Sequence, residues 1–290
     1  MGRDPVVDRR TALAIGAGLA LAACGSRRST SSPQATSPTG SLTATPTPTV
    51  GLPAPVPWVP VAGEEQVAAK IAAVRRIEAL GNTATHRVRV IDAQYGGLLS
   101  DSASVLVVCD GWQVGGARLV PDGQTFDVRL GRVGAAWHVT AVYPSEPGPP
   151  TTSISAAARH ILGSSRISLP PAARADVASG AVHDTVLEAM LSISQRWPIA
   201  ISVIRSGHPL YVFGTARLSD HPRGRAFDTW EIDHVPVVAS GAPAPVVPTY
   251  MEALAELGSY NVGGPVLLGN APQFFSDQTH HDHVHAGFVT

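Results

Sequence analysis

Histidine and aspartate side chains are concentrated in two short segments of this sequence that lie far apart along the chain. The first contains His221 and Asp228, the second contains His283 and His285, and 54 residues separate Asp228 from His283. Neutral imidazole and carboxylate are good zinc ligands, and a catalytic zinc takes three such ligands and keeps a fourth position open for water. We therefore expect a fold that brings both segments together, so that His221, Asp228 and His285 bind one Zn²⁺ ion.

The local sequence suggests how these side chains converge. In an extended strand alternate residues point to the same face, so His281, His283 and His285 are predicted to share one side of the chain. His285 would then hold the metal while His283 lies beside the substrate. His221 precedes Asp228 by a turn that contains proline and glycine, and such a turn would let both side chains reach one site.

The spacing within the first segment is specific. Ser-x-His-x-x-Gly-x-Ala-x-Asp followed by His-x-His resembles the signature of the zinc peptidases related to D-alanyl-D-alanine dipeptidases and carboxypeptidases. The five fixed positions of the first motif are Ser219, His221, Gly224, Ala226 and Asp228. The same group includes penicillin-insensitive murein endopeptidases, and Hedgehog signalling domains share its fold. The resemblance covers residues 198–288, about a third of the chain, and implies an α+β zinc domain of the Hedgehog/DD-peptidase type with an antiparallel sheet.

The resemblance also implies a role for each residue of the site. It assigns zinc to the three ligands named above and makes His283 the non-ligand histidine that assists catalysis or stabilises the oxyanion. Several members use a Glu shortly before the last ligand as the general base, and this chain has none there. The murein endopeptidase subgroup instead uses a histidine five residues before that ligand, which here is His280. An Arg near the first strand often contacts substrate, and Arg205 is the candidate, although a surface position at a strand end fits it equally well.

The first residues of the sequence have the features of an export signal. Charged residues through Arg10 precede an apolar run over 11–23, which is too short to span a bilayer as a helix. The run ends in Leu-Ala-Ala-Cys at residues 21–24, which resembles the cleavage and lipidation box of bacterial lipoproteins. This implies removal of residues 1–23, a lipid on Cys24 and attachment to the outer face of the cell membrane, facing the cell wall. The alternative is an ordinary signal in which Cys24 is incidental, and two adjacent arginines before the run leave the twin-arginine route open.

Composition and hydrophobic pattern divide the rest of the chain into a tether, two domains and the linker between them. Residues 24–57 are rich in Ser, Thr and Pro and are predicted to form an extended tether, because such a segment cannot bury a core. Residues 58–144 are predicted to form a small α+β domain, with a helical pattern over 64–80 before four strand-like runs. A helix followed by an antiparallel sheet resembles the nuclear-transport-factor-like domains of some bacterial lipoproteins. Residues 145–155 are a predicted linker and 156–290 a second domain, so the predicted fold class is α+β.

Two capping boxes are predicted to begin helices in the second domain. Thr185 with Glu188 precedes an apolar pattern that continues to Arg196, and Thr249 with Glu252 precedes a shorter one. Residues 199–204 are apolar except for Ser202 and are predicted to form a buried strand.

Charge and cysteine content argue against nucleic-acid binding and against a disulfide at Cys109. The 290 residues carry a formal net charge of −1, so the chain lacks the basic surface that nucleic-acid binding requires. Two cysteines occur, and if Cys24 is lipidated Cys109 has no disulfide partner. Cys109 follows an apolar run and is predicted to be a buried structural thiol.

These features predict a zinc peptidase that acts on peptidoglycan stem peptides or cross-links, as a D,D-carboxypeptidase or an endopeptidase. Either His280 or His283 would accept a proton, and the other would stabilise the oxyanion. The alternative is a metal-containing lipoprotein that binds wall peptides without cleaving them. A position open for water on the metal favours the enzyme, whereas a closed four-ligand site favours the binding protein.

Overall fold

Residues 51–239 and 242–290 are described by the computed structural model of the protein. Over these ranges the predicted α+β class is confirmed, with α-helices beside a large antiparallel sheet, a large mixed sheet and a small two-stranded sheet. The α-helices are α1 Val67–Gly81, α2 Ala156–Gly163, α3 Pro171–Ala178, α4 Asp184–Arg196 and α5 Val247–Glu256. The strands are β1 His86–Leu98, β2 Ser102–Gly115, β3 Arg118–Pro121, β4 Thr125–Val133, β5 Ala136–Pro144, β6 Ile167–Ser168, β7 Ile199–Val203, β8 Ala226–Ile232, β9 Val235–Pro236, β10 Val238–Ala239, β11 Ala242–Pro243, β12 Asn261–Gly263, β13 Phe274–Phe275 and β14 Val284–Gly287.

The predicted signal peptide, residues 1–23, lies outside the described residues. So do the predicted lipidation site Cys24 and most of the predicted tether. Within the described ranges, every helix is too short or too polar to cross a bilayer.

The first sheet is antiparallel and has the strand order β1-β2-β4-β5, with β3 paired to the end of β2. Helix α1 packs across this sheet because its apolar residues recur at helical spacing, and Ala73, Val74 and Ile77 are buried in the shared core. Lys70 lies on the same helical face and is fully buried as well. A buried ammonium group requires partners; here they are Glu64, just before the helix, and Asp282, from the other half of the molecule.

The second sheet is mixed and has the strand order β13-β12-β14-β8-β7-β6, with β9 paired to β8. Its central pairs are antiparallel, whereas β13 and β6 are added in parallel at the two edges. The predicted antiparallel pairing is therefore found in the centre of the sheet, with one parallel strand added at each edge. In the centre, β14 pairs with β8 so that His285 lies directly opposite Asp228.

The two sheets pack against each other. Leu106 and Val108 of the first sheet form a small buried cluster with Val203 of β7, and the described residues belong to one compact unit. The strand β1 has bulges after Val90 and after Tyr95, and bulges bend and twist a strand. Side chains of β1 and α1 therefore reach the second sheet, where the histidines lie.

Helix starts depart from the predicted capping boxes. Helix α4 begins at Asp184 after His183, and no side chain caps it, so Thr185 is inside the helix. Helix α5 begins at Val247, two residues before Thr249. Proline in the first turn fits its start, since proline is favoured where the backbone N–H is free anyway. Helices α2 and α3 were not predicted.

Candidate metal centre and its cleft

Three side chains converge on one face of the second sheet. Asp228 and His285 are directly opposite each other on β8 and β14, so their side chains are neighbours. His221 comes from the short 3-10 helix His221–Arg223 just before β8. Its Nε2 lies 3.1 Å from both His285 Nδ1 and Asp228 Oδ1, and His285 Nδ1 lies 3.0 Å from Asp228 Oδ1. The structure thus brings together the three residues predicted to bind a metal.

The turn that delivers His221 depends on Gly224. This residue has a φ of 68°, in the left-handed region that favours glycine. A Cβ at this position would also collide with the carbonyl oxygen of Ala181. The glycine of the sequence motif is therefore required for the turn that connects His221 to β8.

The hydrogen bonds and charges around these three groups suit a metal ion. His221 Nδ1 donates a hydrogen bond of 2.8 Å to the carbonyl oxygen of Ile204, which directs Nε2 towards Asp228 and His285. Burial lowers the pKa of His285 to about 4, although its contact with Asp228 opposes the shift. Burial would raise the pKa of Asp228, but the neighbouring His221 and His283 hold it well below its usual value. A cation among the three side chains would be stabilised by the charge of Asp228 and by ring nitrogens in their deprotonated form.

His208 is a further group beside this triangle. Its ring stacks on His221, with centroids 4.2 Å apart and an angle of 18° between the planes. His208, His221 and Asp228 offer ligand atoms that all lie within 4.8 Å of one another. The Nδ1 of His208 donates to the carbonyl oxygen of Pro209 at 2.9 Å, which leaves Nε2 as its possible ligand atom.

The second carboxylate oxygen of Asp228 is held by a residue of the first sheet. Gln94 Nε2 on β1 donates to Asp228 Oδ2 at 2.6 Å, and Gln94 Oε1 accepts a hydrogen bond from Ser202. Gln94 and Ser202 are both buried. Hydrogen bonds of this kind fix the orientation of a ligand carboxylate.

His283 adjoins the triangle and has a carboxylate behind it. Its Nδ1 donates to Asp282 Oδ1 at 2.6 Å, and its Nε2 lies 3.8 Å from Asp228 Oδ2. Burial would lower the pKa of His283, but the charges of Asp228 and Asp282 outweigh it and raise the pKa to about 9. A bound divalent cation would oppose this rise, because its charge offsets that of Asp228.

His280 has a carboxylate partner of its own. Its Nδ1 donates to Asp277 Oδ1 at 2.7 Å, and its ring centroid lies 5.2 Å from that of His283 and 5.7 Å from that of His285. Burial would raise the pKa of Asp277, but the hydrogen bond and charge of His280 lower it to about 2. Asp277 therefore stays ionised and orients the ring, with Nε2 as the nitrogen free to exchange a proton.

The predicted extended arrangement of the histidine segment is wrong before residue 284. Only Val284–Gly287 is a strand, and residues 278–283 form turns and bends. Asp277 Oδ1 accepts hydrogen bonds from the backbone N–H groups of Thr279 and His280, which stabilises this turn. His281 consequently points away from the triangle, and its Nε2 accepts from the backbone N–H of Glu65 at 3.0 Å.

A cluster of buried charges lies behind His283. Lys70 Nζ donates to Asp282 Oδ2 at 2.6 Å and also to Glu64. The Oδ2 atom of Asp92 is buried without a hydrogen-bond partner among the described residues. Burial raises the pKa of Asp92 to about 7, although the attraction of Lys70 opposes the rise.

Replacement of Asp92 by Asn is expected to remove a pH-dependent loss of stability. An unfolded Asp has a pKa near 4, so between about pH 4 and pH 7 the folded wild type binds more protons and loses stability as the pH rises. As the pH rises over this interval, the free energy of unfolding of Asp92→Asn minus that of wild type should increase by up to about 4 kcal/mol. Urea unfolding of both proteins at about pH 4.5 and about pH 8 measures the change. A difference that does not vary with pH would show that Asp92 titrates normally.

A cleft of about 660 Å³ opens onto these groups, a volume typical of small-ligand sites. One wall is the end of strand β1 and the residue after it, from Tyr95 to Leu99, a second is the loop 208–219, and a third is the segment 275–285. Phe213 packs directly against Gly97, where a Cβ would collide with its ring. The cleft is therefore formed jointly by both sheets.

Arg205 is not brought into this cleft. Its guanidinium lies 3.7 Å from Asp176 Oδ1 and donates to the carbonyl oxygen of Pro147 at 3.3 Å, and it lines a separate depression with Tyr143. The arginine that lines the cleft is Arg217. It lies on the loop 208–219, and the sequence did not predict a role for it.

Several groups of the site were missed because they come from distant parts of the sequence. Gln94 and Lys70 belong to the region 58–144, where no chemistry was predicted. Lys70 carried a usable signal, since it is the only lysine in the sequence and falls on the apolar face of a predicted helix. Asp277, three residues before His280, carried another, since that spacing is common for hydrogen-bonded side chains in turns.

Comparisons of this chain with protein-family models, with curated proteins and with solved structures find no match. The motif and the geometry of the cleft are therefore the observations that bear on function.

Proposed function

We propose that the protein is a zinc-dependent peptidase that acts on the peptide part of peptidoglycan. The observation that carries this proposal is the triangle of His221 Nε2, Asp228 Oδ1 and His285 Nδ1, with sides of 3.0–3.1 Å. Ligands at about 2.0–2.1 Å from a tetrahedral zinc lie roughly 3.3 Å apart, so a small adjustment accommodates the ion. Two imidazoles and one carboxylate are a donor set that suits zinc.

The two remaining histidines support a hydrolytic role. When bound, zinc supplies a Lewis acid that polarises a peptide carbonyl and activates a water molecule for attack. His280, oriented by Asp277, accepts the proton of the attacking water on Nε2 and passes it to the leaving amine. His283 donates a hydrogen bond from Nε2 to the carbonyl oxygen as negative charge develops there. Its contact with Asp282 keeps the Nδ1 proton in place, so Nε2 points towards the cleft.

The substrate and the location follow from sequence features. The spacing of Ser219 to Asp228 and of His283 to His285 resembles that of zinc peptidases which act on D-alanyl peptides. The Leu-Ala-Ala-Cys box at residues 21–24 supports attachment through a lipid on Cys24 at the outer face of the membrane. A protein tethered there would meet peptidoglycan stem peptides.

A second candidate function is that of a metal-containing wall-binding protein without catalysis. The position of His208 favours it, because Nε2 of this ring is a possible fourth ligand beside His221 and Asp228. A fourth protein ligand would close the site to water. Its ring plane lies nearly parallel to that of His221, so coordination of the same ion would require His208 to rotate.

The proposal is tested with protein that lacks residues 1–24, loaded with zinc and incubated with purified peptidoglycan. Mass spectrometry of the soluble products identifies any bond that is cut, and cleavage of D,D cross-links or release of D-alanine is expected. His285→Ala provides the control for contaminating hydrolases. Absence of new fragments from protein that holds one zinc would favour the binding protein.

Loss of the Gln94 hydrogen bond is expected to weaken zinc binding. Gln94→Leu leaves Asp228 Oδ2 without its donor, and removal of such an outer partner costs about 10–100-fold in metal affinity. Competition with a chromogenic chelator measures the dissociation constant. Gln113→Leu, at an exposed position of the neighbouring strand β2, is the matched control and should bind zinc as wild type does. Equal affinities for both variants would refute the role of Gln94.

A further inference from the structure

A buried chain of contacts runs from helix α1 to the cleft. Lys70 Nζ donates to Asp282 Oδ2 at 2.6 Å, and Asp282 Oδ1 accepts from His283 Nδ1 at 2.6 Å. Lys70 is fully buried and His283 is 2% exposed, so solvent screens neither contact. The two oxygens of one carboxylate thus connect the first sheet's helix to a histidine of the cleft.

Other contacts connect the residues just before α1 to the turn 278–283, which contains Asp282 and His283. The backbone N–H of Glu65 donates to His281 Nε2 at 3.0 Å. The hydroxyl of Tyr95 donates to the carbonyl oxygen of Glu65 at 2.9 Å, and the Lys70 ammonium lies 5.2 Å from the centre of the Tyr95 ring. The ammonium is therefore held in place from several sides, and its position is determined by α1 and β1.

Asp282 needs this ammonium in order to hold His283. Adjacent residues of an extended chain point to opposite faces, and Asp282 meets His283 only because the chain bends at both residues. A buried carboxylate without a cation would turn towards another donor or take up a proton. In either case the hydrogen bond to His283 Nδ1 would weaken, and the His283 ring would no longer hold Nε2 in one orientation towards the cleft.

We propose that Lys70 is a positioning residue for catalysis, which acts on His283 through Asp282 and makes the first sheet and α1 part of the catalytic unit. This inference rests on the proposed peptidase function. It assigns to the region 58–144 a role that the sequence did not suggest. Lys70 itself does not reach the cleft, so it affects the rate of the reaction and not the binding of metal or substrate.

The test measures kcat, KM and zinc content for Lys70→Met, Lys70→Arg and Asp282→Asn with a cross-linked muropeptide as substrate. Arg75→Met, on the exposed face of the same helix, is the control. For Lys70→Met we expect kcat per bound zinc to fall about 10–100-fold, with KM within about twofold of wild type and one zinc retained. Lys70→Arg, which keeps the charge, should recover part of kcat, and Arg75→Met should match wild type. A folded Lys70→Met protein with one zinc and the wild-type kcat would overturn the proposal.

Two further measurements apply if Lys70→Met does not fold or if the wild type shows no cleavage. If Lys70→Met does not fold, Asp282→Asn breaks the same chain beside His283, and an unchanged kcat there would equally overturn it. If the wild type cleaves no substrate, the proposed function fails, and proton NMR of the zinc-loaded protein decides the positioning separately. The Nδ1 proton of His283 should then give a downfield signal that shifts upfield in Lys70→Met, shifts less in Lys70→Arg and keeps its position in Arg75→Met. A Lys70→Met signal at the wild-type position would show that Lys70 does not act on His283.

Discussion

His285→Ala is expected to lose both the bound zinc and the hydrolysis of peptidoglycan peptides. The substitution removes one corner of a three-atom site whose other corners, His221 and Asp228, cannot enclose a tetrahedral ion. Since carbonyl polarisation and water activation both depend on the metal, activity should fall by at least about a thousandfold. Elemental analysis after dialysis gives the zinc stoichiometry, and a discontinuous peptide assay gives the rate.

His234→Ala is the matched control, because the His234 side chain is 81% exposed and lies outside the cleft. It should retain one zinc and full activity. Zinc should raise the melting temperatures of both wild type and His234→Ala, and it should leave that of His285→Ala unchanged. A full zinc complement in His285→Ala would contradict the assignment of His285 as a ligand.

His280→Ala is expected to keep the zinc and lose most of the rate. The His280 ring is oriented by Asp277 and is close to His285 without belonging to the triangle. Loss of a general base costs typically 10²–10⁴-fold in kcat, and we expect a change of that size with little effect on zinc affinity. Steady-state kinetics on a cross-linked muropeptide measures it.

Asp277→Asn tests how much the contribution of His280 depends on its orientation by Asp277. Asn accepts a weaker hydrogen bond from His280 Nδ1, so its kcat should lie between those of wild type and His280→Ala. If His280→Ala retained the wild-type kcat while His283→Ala lost it, the roles of the two histidines would have to be exchanged.

The convergence of His221, Asp228 and His285 could be predicted from the sequence because short-range features determine it. His221 and Asp228 are joined by one turn whose glycine is visible in the motif, and the register of β14 on β8 then brings His285 opposite Asp228. Each step depends on residues that are close in sequence or paired across neighbouring strands.

The residues behind the triangle could not be predicted in this way. Gln94 meets Asp228 across 134 positions of sequence, and Lys70 meets Asp282 across 212. No periodicity relates such residues, since their contact depends on how two sheets pack. The lone lysine on an apolar helical face indicates that a buried partner exists, but it does not identify Asp282.

Short-range signals also failed where tertiary contacts outweighed them. Helix α4 begins before the predicted box of Thr185 and Glu188, because a capping pattern is a weak preference that packing overrides. The alternation of His281, His283 and His285 predicted a strand. The turn stabilised by Asp277 instead directs His281 to α1 and leaves His280 in the cleft.

The proposed site consists of three residues that hold one zinc ion and leave a position open for water. Anomalous diffraction at the zinc edge from crystals of the zinc-loaded protein shows directly which atoms coordinate the ion. We expect a single peak about 2.0–2.1 Å from His221 Nε2, Asp228 Oδ1 and His285 Nδ1, with a water molecule as the fourth ligand. A peak that is also coordinated by His208 Nε2, with no water bound, would contradict this arrangement and identify a closed structural site.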